Sequence, residues 1–378
     1  MPKKLFVFLL IILPIVSIAQ KEKRKLSFKD TLDGKLDASQ FLDEYNGFVP
    51  IVMPITEPAV GYGAAGALIF VRRKRDETGI RKDLNPDIYG AGVMYTENKS
   101  YAFGGAYSGH WNEDKIRANF VAGYGSLNLK YYRTDPVLGE LNFGMNVAAT
   151  FIQADISHRL GKIPLYAGLR YSFAGSRVKF DIGNDVEIPG VNDAFFDADF
   201  AGLAPLLSFD TRDYIFTPNK GVKADLMYVF NDKAFGGTVV FQRLNLHTIG
   251  YTPLSDNLIG GLRIHFQAAS DDTSFYALPF IEMRGIPAMR YQGSRVYAIE
   301  TEERYNFNLR WAAVGFAGVG KGVLPNQSWA DSKTAWAVGG GFRYLLARVF
   351  NMYGGVDIAR GNEDWAIYFT VGTNWNRL

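Results

Sequence analysis

The chain has 378 residues, among them 40 glycines, 28 Phe, 21 Tyr and 6 Trp, and it has no cysteine. The absence of cysteine excludes a disulfide scaffold, a thiolate metal site, a cysteine nucleophile and a lipidated N-terminal cysteine. A formal net charge of only +3 gives no concentrated basic face for nucleic acid, and 48% apolar residues exclude a disordered chain.

The N-terminus has the pattern of a secretory signal peptide. Lys3 and Lys4 precede an apolar run of 15 residues that ends in Ser17-Ile18-Ala19, with small side chains before a cleavage site. The alternative is a membrane anchor, but a spanning helix needs ~20 residues. Residues 1–19 are therefore predicted to be removed, which places the mature chain beyond the inner membrane.

Residues 20–46 are predicted to form a short periplasmic segment before the first strand. Three of its acids, Asp30, Asp33 and Asp37, surround Gly34 in a way that superficially suggests a calcium loop. The twelve-residue spacing and the terminal glutamate of such a loop are missing. A solvated, capped turn is the prediction here.

From residue 47 to 378 the chain alternates between apolar and small or polar residues. Ile116, Phe120 and Tyr124 alternate with Arg117 and Asn119, for example. A period of two predicts strands. Tyr and Trp recur at the ends of the apolar faces, as in the aromatic girdles of an outer-membrane barrel.

The alternative architecture is a soluble β-sandwich or lipocalin-like barrel. Such a fold needs one dry core, whereas the second face of these segments carries many Arg, Asp, Asn, Glu and Gly residues. A membrane barrel uses that face as a wet lumen, and only a closed sheet satisfies backbone groups in hydrocarbon. The prediction is an all-β transmembrane antiparallel barrel.

Counting the segments predicts sixteen strands. They are predicted at 48–56, 59–73, 86–97, 101–112, 115–130, 139–156, 164–178, 199–210, 220–231, 237–250, 257–270, 297–309, 311–320, 334–346, 351–360 and 365–376. An even number returns the C-terminus to the periplasmic side. The long connections 179–198 and 271–296 then lie outside the cell.

Four segments of the C-terminal two-thirds have the order and placement of known motifs. They are the turn Asp210-Thr211-Arg212-Asp213 with Pro218-Asn219-Lys220-Gly221, the loop Met283-Arg284-Gly285-Ile286, the strand start Glu302-Glu303-Arg304, and the closing Val356-Asp357-Ile358-Ala359 with Tyr368-Phe369-Thr370-Val371-Gly372-Thr373-Asn374-Trp375. Together they resemble the bacterial surface-antigen superfamily, the BamA/TamA-like outer-membrane proteins. Residues 55–63 are similar to short Bacteroidetes-type members.

The resemblance implies a role in outer-membrane biogenesis or protein insertion, as a scaffold or auxiliary factor. Members active in assembly carry periplasmic POTRA domains, and the 27 residues at 20–46 are too few for one. Expected partners are outer-membrane lipid and lipopolysaccharide, and a homodimer or other outer-membrane proteins. No catalytic residue, metal or cofactor is predicted, since the four histidines are dispersed and match no catalytic motif.

The resemblance singles out Arg284, because in the family a loop arginine pins the loop to the inner wall of the barrel. A partly desolvated arginine needs a carboxylate. The family's strand motif FxDxG is here Phe316-Ala317-Gly318-Val319-Gly320, so its acid is missing. The wall residues considered as anchors for Arg284, Gly285 and Ile286 are Glu300, Glu302, Arg304 and Asp357. The alternative is an exposed loop arginine without a partner.

The junction of the first and last strands, which we call the seam, is the second predicted site. Pro50 and Pro54 have the same parity, so both missing amide donors lie on one edge of strand 1. If that edge faces strand 16 with its Gly372 and Trp375, the seam is weak and resembles the family's lateral gate. Alternatively, the prolines sit at the periplasmic rim.

A passive diffusion pore is the alternative function. Its lumen would be lined by Arg117, Lys223, Asp225, Arg243, Arg304 and Arg310. That lumen would conduct ions only if the loop did not fill it.

Overall fold

A computed structural model describes residues 27–44, 49–57, 60–72, 74, 85–135, 139–181, 195–271, 273–274 and 277–375. The predicted signal peptide lies outside these residues. Within the described part of the chain, no helix has the length and apolar character to cross a membrane.

Sixteen antiparallel strands form one sheet in chain order. After the short helix α1 (Ser39–Glu44) they are β1 (Val49–Glu57), β2 (Gly61–Arg72), β3 (Asp87–Thr96), β4 (Tyr101–Trp111), β5 (Ile116–Asp135), β6 (Gly139–Arg159), β7 (Leu165–Asp181), β8 (Phe195–Asp210), β9 (Gly221–Asn231), β10 (Phe241–Pro253), β11 (Leu258–Ala269), β12 (Arg295–Asn306), β13 (Trp311–Val323), β14 (Thr334–Ala347), β15 (Met352–Gly361) and β16 (Trp365–Val371). The predicted all-β antiparallel barrel and its strand number are confirmed.

The alternation of side chains follows the two faces of the barrel wall. On β14, Trp336, Val338 and Phe342 are exposed on the outside, whereas Ala337 and Arg343 are buried inside. Exposed apolar side chains on the outer face suit lipid, and the inner face lines the lumen.

The barrel is nearly closed. β1 and β16 lie side by side at the two edges of the sheet. Among the described residues, β1 forms its ladder with β2 and β16 forms its ladder with β15, and none joins β1 to β16. Over the part of the chain that the structure describes, the seam therefore lacks the backbone pairing that holds the other neighbouring strands together.

The height of the wall varies around the barrel. β5 to β8 have 20, 21, 17 and 16 residues, whereas β16 has only 7. A strand needs ~9–11 residues to cross the membrane. Tyr101, the first residue of β4, pairs with Ser126, so β5 continues for nine residues past β4 to Asp135 on the extracellular side.

The predicted end of the last strand is wrong. β16 ends at Val371 rather than at residue 376, because Gly372 has a φ of +83° and turns the chain. The Thr373 N–H then donates to the Phe216 carbonyl at 2.9 Å, and Trp375 is buried in the lumen. The parity of Trp375 matched the outer face, but a left-handed glycine ends that alternation.

Candidate functional site

Within the connection between β11 and β12, residues 277–294 fold back into the lumen as predicted for the fold. Their apolar side chains pack in one buried cluster with residues of the wall. The cluster consists of Ile281, Met283, Ile286, Tyr291, Val296, Ala335 and Ala337. We call residues 277–294 the lumen loop.

The lumen loop is held to the wall through Arg284. Its Nη1 donates to Asp357 Oδ2 at 2.7 Å. Its Nη2 lies 2.7 Å from Glu302 Oε2, although neither atom is aligned for a hydrogen bond, so this contact is mainly charge on charge. The guanidinium also stacks on the Phe316 ring, 3.6 Å from its centroid.

Asp357 is the shared acceptor of this site and is completely buried. Arg343 donates to both of its carboxylate oxygens, and Asn374 Nδ2 donates at 2.9 Å. Two arginines therefore face two carboxylates, Asp357 and Glu302, in a desolvated lumen. A buried cluster of this kind is stable only while its positive and negative charges compensate each other.

Two of the predicted wall residues do not touch Arg284 in this way. Glu300 pairs with Arg263, whose Nη1 also donates to the Glu282 carbonyl of the lumen loop at 2.8 Å. Arg304 instead donates to Asn219 and lies over the Tyr353 ring at 5.1 Å. Glu300 thus contacts the loop indirectly, through Arg263. Arg304 is bound to the turn between β8 and β9 at the periplasmic end.

The missing acid of the strand motif has a steric explanation. A Cβ atom on Gly318 would collide with Met283 Sδ and with Glu300 Cγ. The lumen loop lies so close to β13 that an aspartate has no room there. Phe316 and Glu302 provide the contacts to Arg284 instead.

The lumen loop also contacts the last strand. The Gly285 N–H donates to Tyr368 Oη at 2.9 Å, and Arg290 Nε donates to Glu363 at 2.8 Å in the β15–β16 turn. Gly285 has a φ of +83° and lies against the Gly361 backbone, which suits only glycine. Sequence reasoning missed Tyr368 and Glu363, although the parity of Tyr368, opposite to Phe369, places it inside.

The turn between β8 and β9 carries the Asp210–Gly221 motif and crosses the periplasmic end of the barrel. Asp210 accepts from Arg212 Nε at 2.9 Å, and Asp213 accepts from the Asn219 N–H at 2.9 Å. Pro218 is fully buried, and Gly221 has a φ of +102°. These contacts fix the shape of the turn.

From the crossing turn, three groups reach strand ends and turns on the far side. The Thr217 carbonyl accepts from Asn351 Nδ2 at 2.5 Å, Asn219 Oδ1 accepts from Arg304, and the Phe216 carbonyl accepts from Thr373. The turn thus covers part of the periplasmic mouth and holds the chain that follows β16.

The acidic turn near the N-terminus is not solvated as predicted. Arg310 lies between β12 and β13, where it donates to Asp30, to Asp33 at 2.6 Å and to Asp37 at 2.6 Å. It therefore does not line the lumen as the pore hypothesis supposed. The Arg348 hydrogen bond lowers the pKa of Asp30, and the Arg310 hydrogen bond lowers that of Asp33.

The other side of the lumen contains a polar cavity of about 210 Å³, which is lined mainly by β3–β9 and reaches Asn245 of β10. Its charges pair along the wall: Arg170 with Asp155 at 2.9 Å, and Arg117 with Asp114 at 2.7 Å. At its border, His247 and His265 meet edge to face at 5.5 Å, and both rings hydrogen-bond Arg263. Among the described residues, no group of His, Asp and Glu is arranged to hold a metal ion.

The predicted seam residues lie at three different places. Pro50 and Pro54 are exposed on β1, opposite Leu68 and Ala64 of β2. Gly372 ends β16 at the periplasmic side. Trp375 does not line the outer seam, since its ring packs inside the barrel against Tyr251 at 5.8 Å.

Comparisons with known proteins agree on the barrel. The Omp85 superfamily domain matches residues 89–282. CdiB from Escherichia coli has a TM-score of 0.60 at 10% identity over 87% of this chain and 62% of its own. BamA from Haemophilus ducreyi lacking POTRA domains 1–3 has a TM-score of 0.56 at 10% identity over 87% and 70%.

CdiB from Acinetobacter baumannii has a TM-score of 0.56 at 11% identity, and the match covers 86% of this chain and 65% of that one. At these identities the likeness is one of fold, and the chain spans less than two thirds of either CdiB. No curated protein matches the sequence.

Proposed function

This chain belongs to the Omp85 superfamily, and from that membership we propose that it serves outer-membrane biogenesis as a scaffold or auxiliary factor for protein insertion. The barrel is an outer-membrane protein of a Gram-negative bacterium. Its contribution would be made from within the membrane, by the barrel wall itself.

The observation that carries the proposal is the seam. β1 and β16 are adjacent but share no ladder among the described residues. Unpaired backbone groups are costly in hydrocarbon, and a strand edge is a template for pairing with another strand. An incoming barrel strand would satisfy those groups, and so would a partner barrel or a second copy of this chain.

The lumen loop supports the same proposal. Through Tyr368 and Glu363 it holds β16 and the β15–β16 turn, and through Arg284 it holds β12 and β15. A seam strand needs a rigid wall behind it if its edge is to be presented to a partner. The loop provides that support from inside.

Depletion of the protein, followed by quantification of the outer-membrane proteome, tests the proposal. We expect many unrelated barrels or surface lipoproteins to fall, and re-expression of the wild-type chain to restore them. An unchanged proteome after complete depletion would contradict a role in biogenesis.

The polar cavity favours a second candidate, a passive diffusion pore, because the lumen loop leaves this side of the lumen unfilled. Conductance in planar bilayers separates the two functions. A pore conducts steadily as the wild-type protein, whereas a plugged barrel conducts only after residues 275–293 are removed. A large steady wild-type current would argue against the plugged scaffold.

A further inference from the structure

The segment 27–44 is fastened to one side of the seam. Besides the Asp–Arg310 contacts, the Ala38 N–H donates to the Leu346 carbonyl at 2.7 Å, and the Val349 N–H donates to Ser39 Oγ at 3.0 Å. Tyr344 Oη donates to the Leu36 carbonyl at 2.9 Å. These partners belong to β14 and to the β14–β15 turn, so the segment is anchored to the wall beside β15.

The same segment contacts the other side of the seam. Leu42 of α1 is buried in a cluster with Val71 of β2, and also with Ala347, Phe350 and Met352 near β14 and β15. Ile69 of β2 and Val371 of β16 pack against this cluster. The Leu42 side chain therefore contacts the periplasmic ends of strands on both sides of the seam.

Covalent connection adds to this contact. Only residues 45–48 separate Glu44 of α1 from Val49 of β1. Five Cα steps span at most about 17 Å when fully extended. As long as residues 27–44 stay anchored beside β15, the periplasmic end of β1 cannot move far from β16.

We propose that residues 27–44 are a periplasmic clasp that holds β1 beside β16 and keeps the seam closed where it has no ladder. The inference does not depend on the proposed role in biogenesis, since the width of the seam is a property of the purified barrel. The two attachments of the clasp differ in kind. Hydrogen-bonded ion pairs hold it to β12–β15, and apolar contact through Leu42 joins it to β2.

The test is a distance across the seam. Because the chain has no cysteine, Val52→Cys on β1 and Phe369→Cys on β16 can carry the only two nitroxide labels. Both side chains are exposed on the outer face, Val52 three residues after the periplasmic start of β1 and Phe369 two residues before the periplasmic end of β16. Pulsed electron paramagnetic resonance then gives the distance distribution in detergent or nanodiscs.

A second labelled pair reports on the intact wall. Leu207 of β8 and Leu226 of β9 are direct ladder partners and are exposed. The Leu207→Cys, Leu226→Cys distribution is expected to stay the same in every clasp variant, and a change there would show general loosening of the barrel instead.

We expect Leu42→Ala, and more strongly removal of residues 27–44, to broaden the seam distribution and shift it to longer distances. Leu36→Ala is the matched control, because Leu36 lies in the same segment but is exposed and outside the cluster. Its distribution should equal that of the wild type. A seam distribution unchanged by removal of 27–44, in protein that keeps heat-modifiable migration on gels, would overturn the clasp.

If the shortened chain fails to fold, Leu42→Ala and Arg310→Ala decide the question in the full chain. Limited proteolysis first establishes that the segment has been released. A released segment with an unchanged seam distribution overturns the proposal, and a released segment with a widened seam supports it.

Discussion

The two sides of the lumen differ in what occupies the space inside the barrel. On the loop-filled side, β10–β16, the inward residues of β13 and β14 are mostly small, and the lumen loop occupies the space they leave. On the cavity side, β3–β9, the inward positions carry polar residues such as Asn119, Asp155 and Arg170, which bond to one another. The outer faces of both sides are apolar.

The pattern of the outward-facing residues alone therefore does not reveal what a barrel contains. Charges on the loop-filled side are dry and depend on one another, as Arg284, Arg343 and Asp357 do. Charges on the cavity side can exchange a lost partner for water.

The largest effect is expected for Asp357→Ala. It leaves Arg284 with Glu302 and removes the carboxylate that pairs with Arg343, and breaking a buried pair costs about 3–5 kcal/mol. The matched change on the cavity side is Asp155→Ala, where Arg170 can turn to water, at about 1–2 kcal/mol. Denaturant titration of the refolded barrel gives both values, and equal losses would remove the distinction between the two sides.

Arg284→Ala should cost less than Asp357→Ala, about 2–3 kcal/mol, because Asp357 keeps Arg343 and Asn374. It should also free the lumen loop, so single-channel conductance rises. Arg284→Lys is the control with the charge retained but without the planar fork, and an intermediate result is expected. An unchanged conductance in Arg284→Ala would mean that the other contacts suffice to hold the loop.

Gly318→Ala tests how tightly the loop lies on β13. Its methyl group would meet Met283 and Glu300, and overpacking of this kind costs about 1–3 kcal/mol. Gly315→Ala on the same strand meets nothing within 4 Å and should change the free energy of unfolding by less than about 0.5 kcal/mol. Equal effects at the two positions would argue against the close contact.

The smallest effect on the contacts of the clasp is expected from lowering the pH. The pKa of Asp30 is lowered chiefly by its hydrogen bond from Arg348, and that of Asp33 by its hydrogen bond from Arg310. A lowered folded-state pKa contributes stability that is complete above the ordinary value of about 3.9 and is lost as pH falls below it. Asp37 faces the same arginines.

The seam distance distribution at pH 7 and pH 3 measures this loss. We expect some broadening at pH 3, and less pH dependence in Asp30→Asn, which lacks the titrating carboxylate. A distribution that is identical at both pH values would show that the apolar contact of Leu42 holds the clasp without the ion pairs.

Much of the fold could be predicted from the sequence, because apolar residues alternate with small or polar ones wherever a strand has one face toward an apolar environment and the other toward a polar one. Sixteen segments with this pattern became sixteen strands. The alternation predicts the wrong face for Trp375. Its parity places it on the outer face, but the chain turns at Gly372 before it reaches this residue. Positive φ at a glycine is not visible in a period-two pattern, which explains the error.

Less of the candidate site could be predicted. Parity put Glu300, Glu302 and Asp357 inside, but the choice among them depends on how deeply the lumen loop enters. The contacts of Arg310 with Asp30, Asp33 and Asp37 join residues more than 270 positions apart, and local spacing carries no signal for them. From the sequence alone, these three acids therefore resembled those of an exposed turn.

The unequal strand lengths give the barrel an uneven outer rim. Extra residues at ~3.3 Å each raise the β5–β6 hairpin roughly 30 Å along the strands beyond β4, whereas β16 ends its crossing within seven residues. Since β8 and β9 stand opposite the seam in a ring of sixteen, the tall part of the wall faces away from it. The extracellular rim is therefore low beside the seam and high on the opposite side of the barrel, so a partner that approaches the seam from outside meets no tall hairpin there.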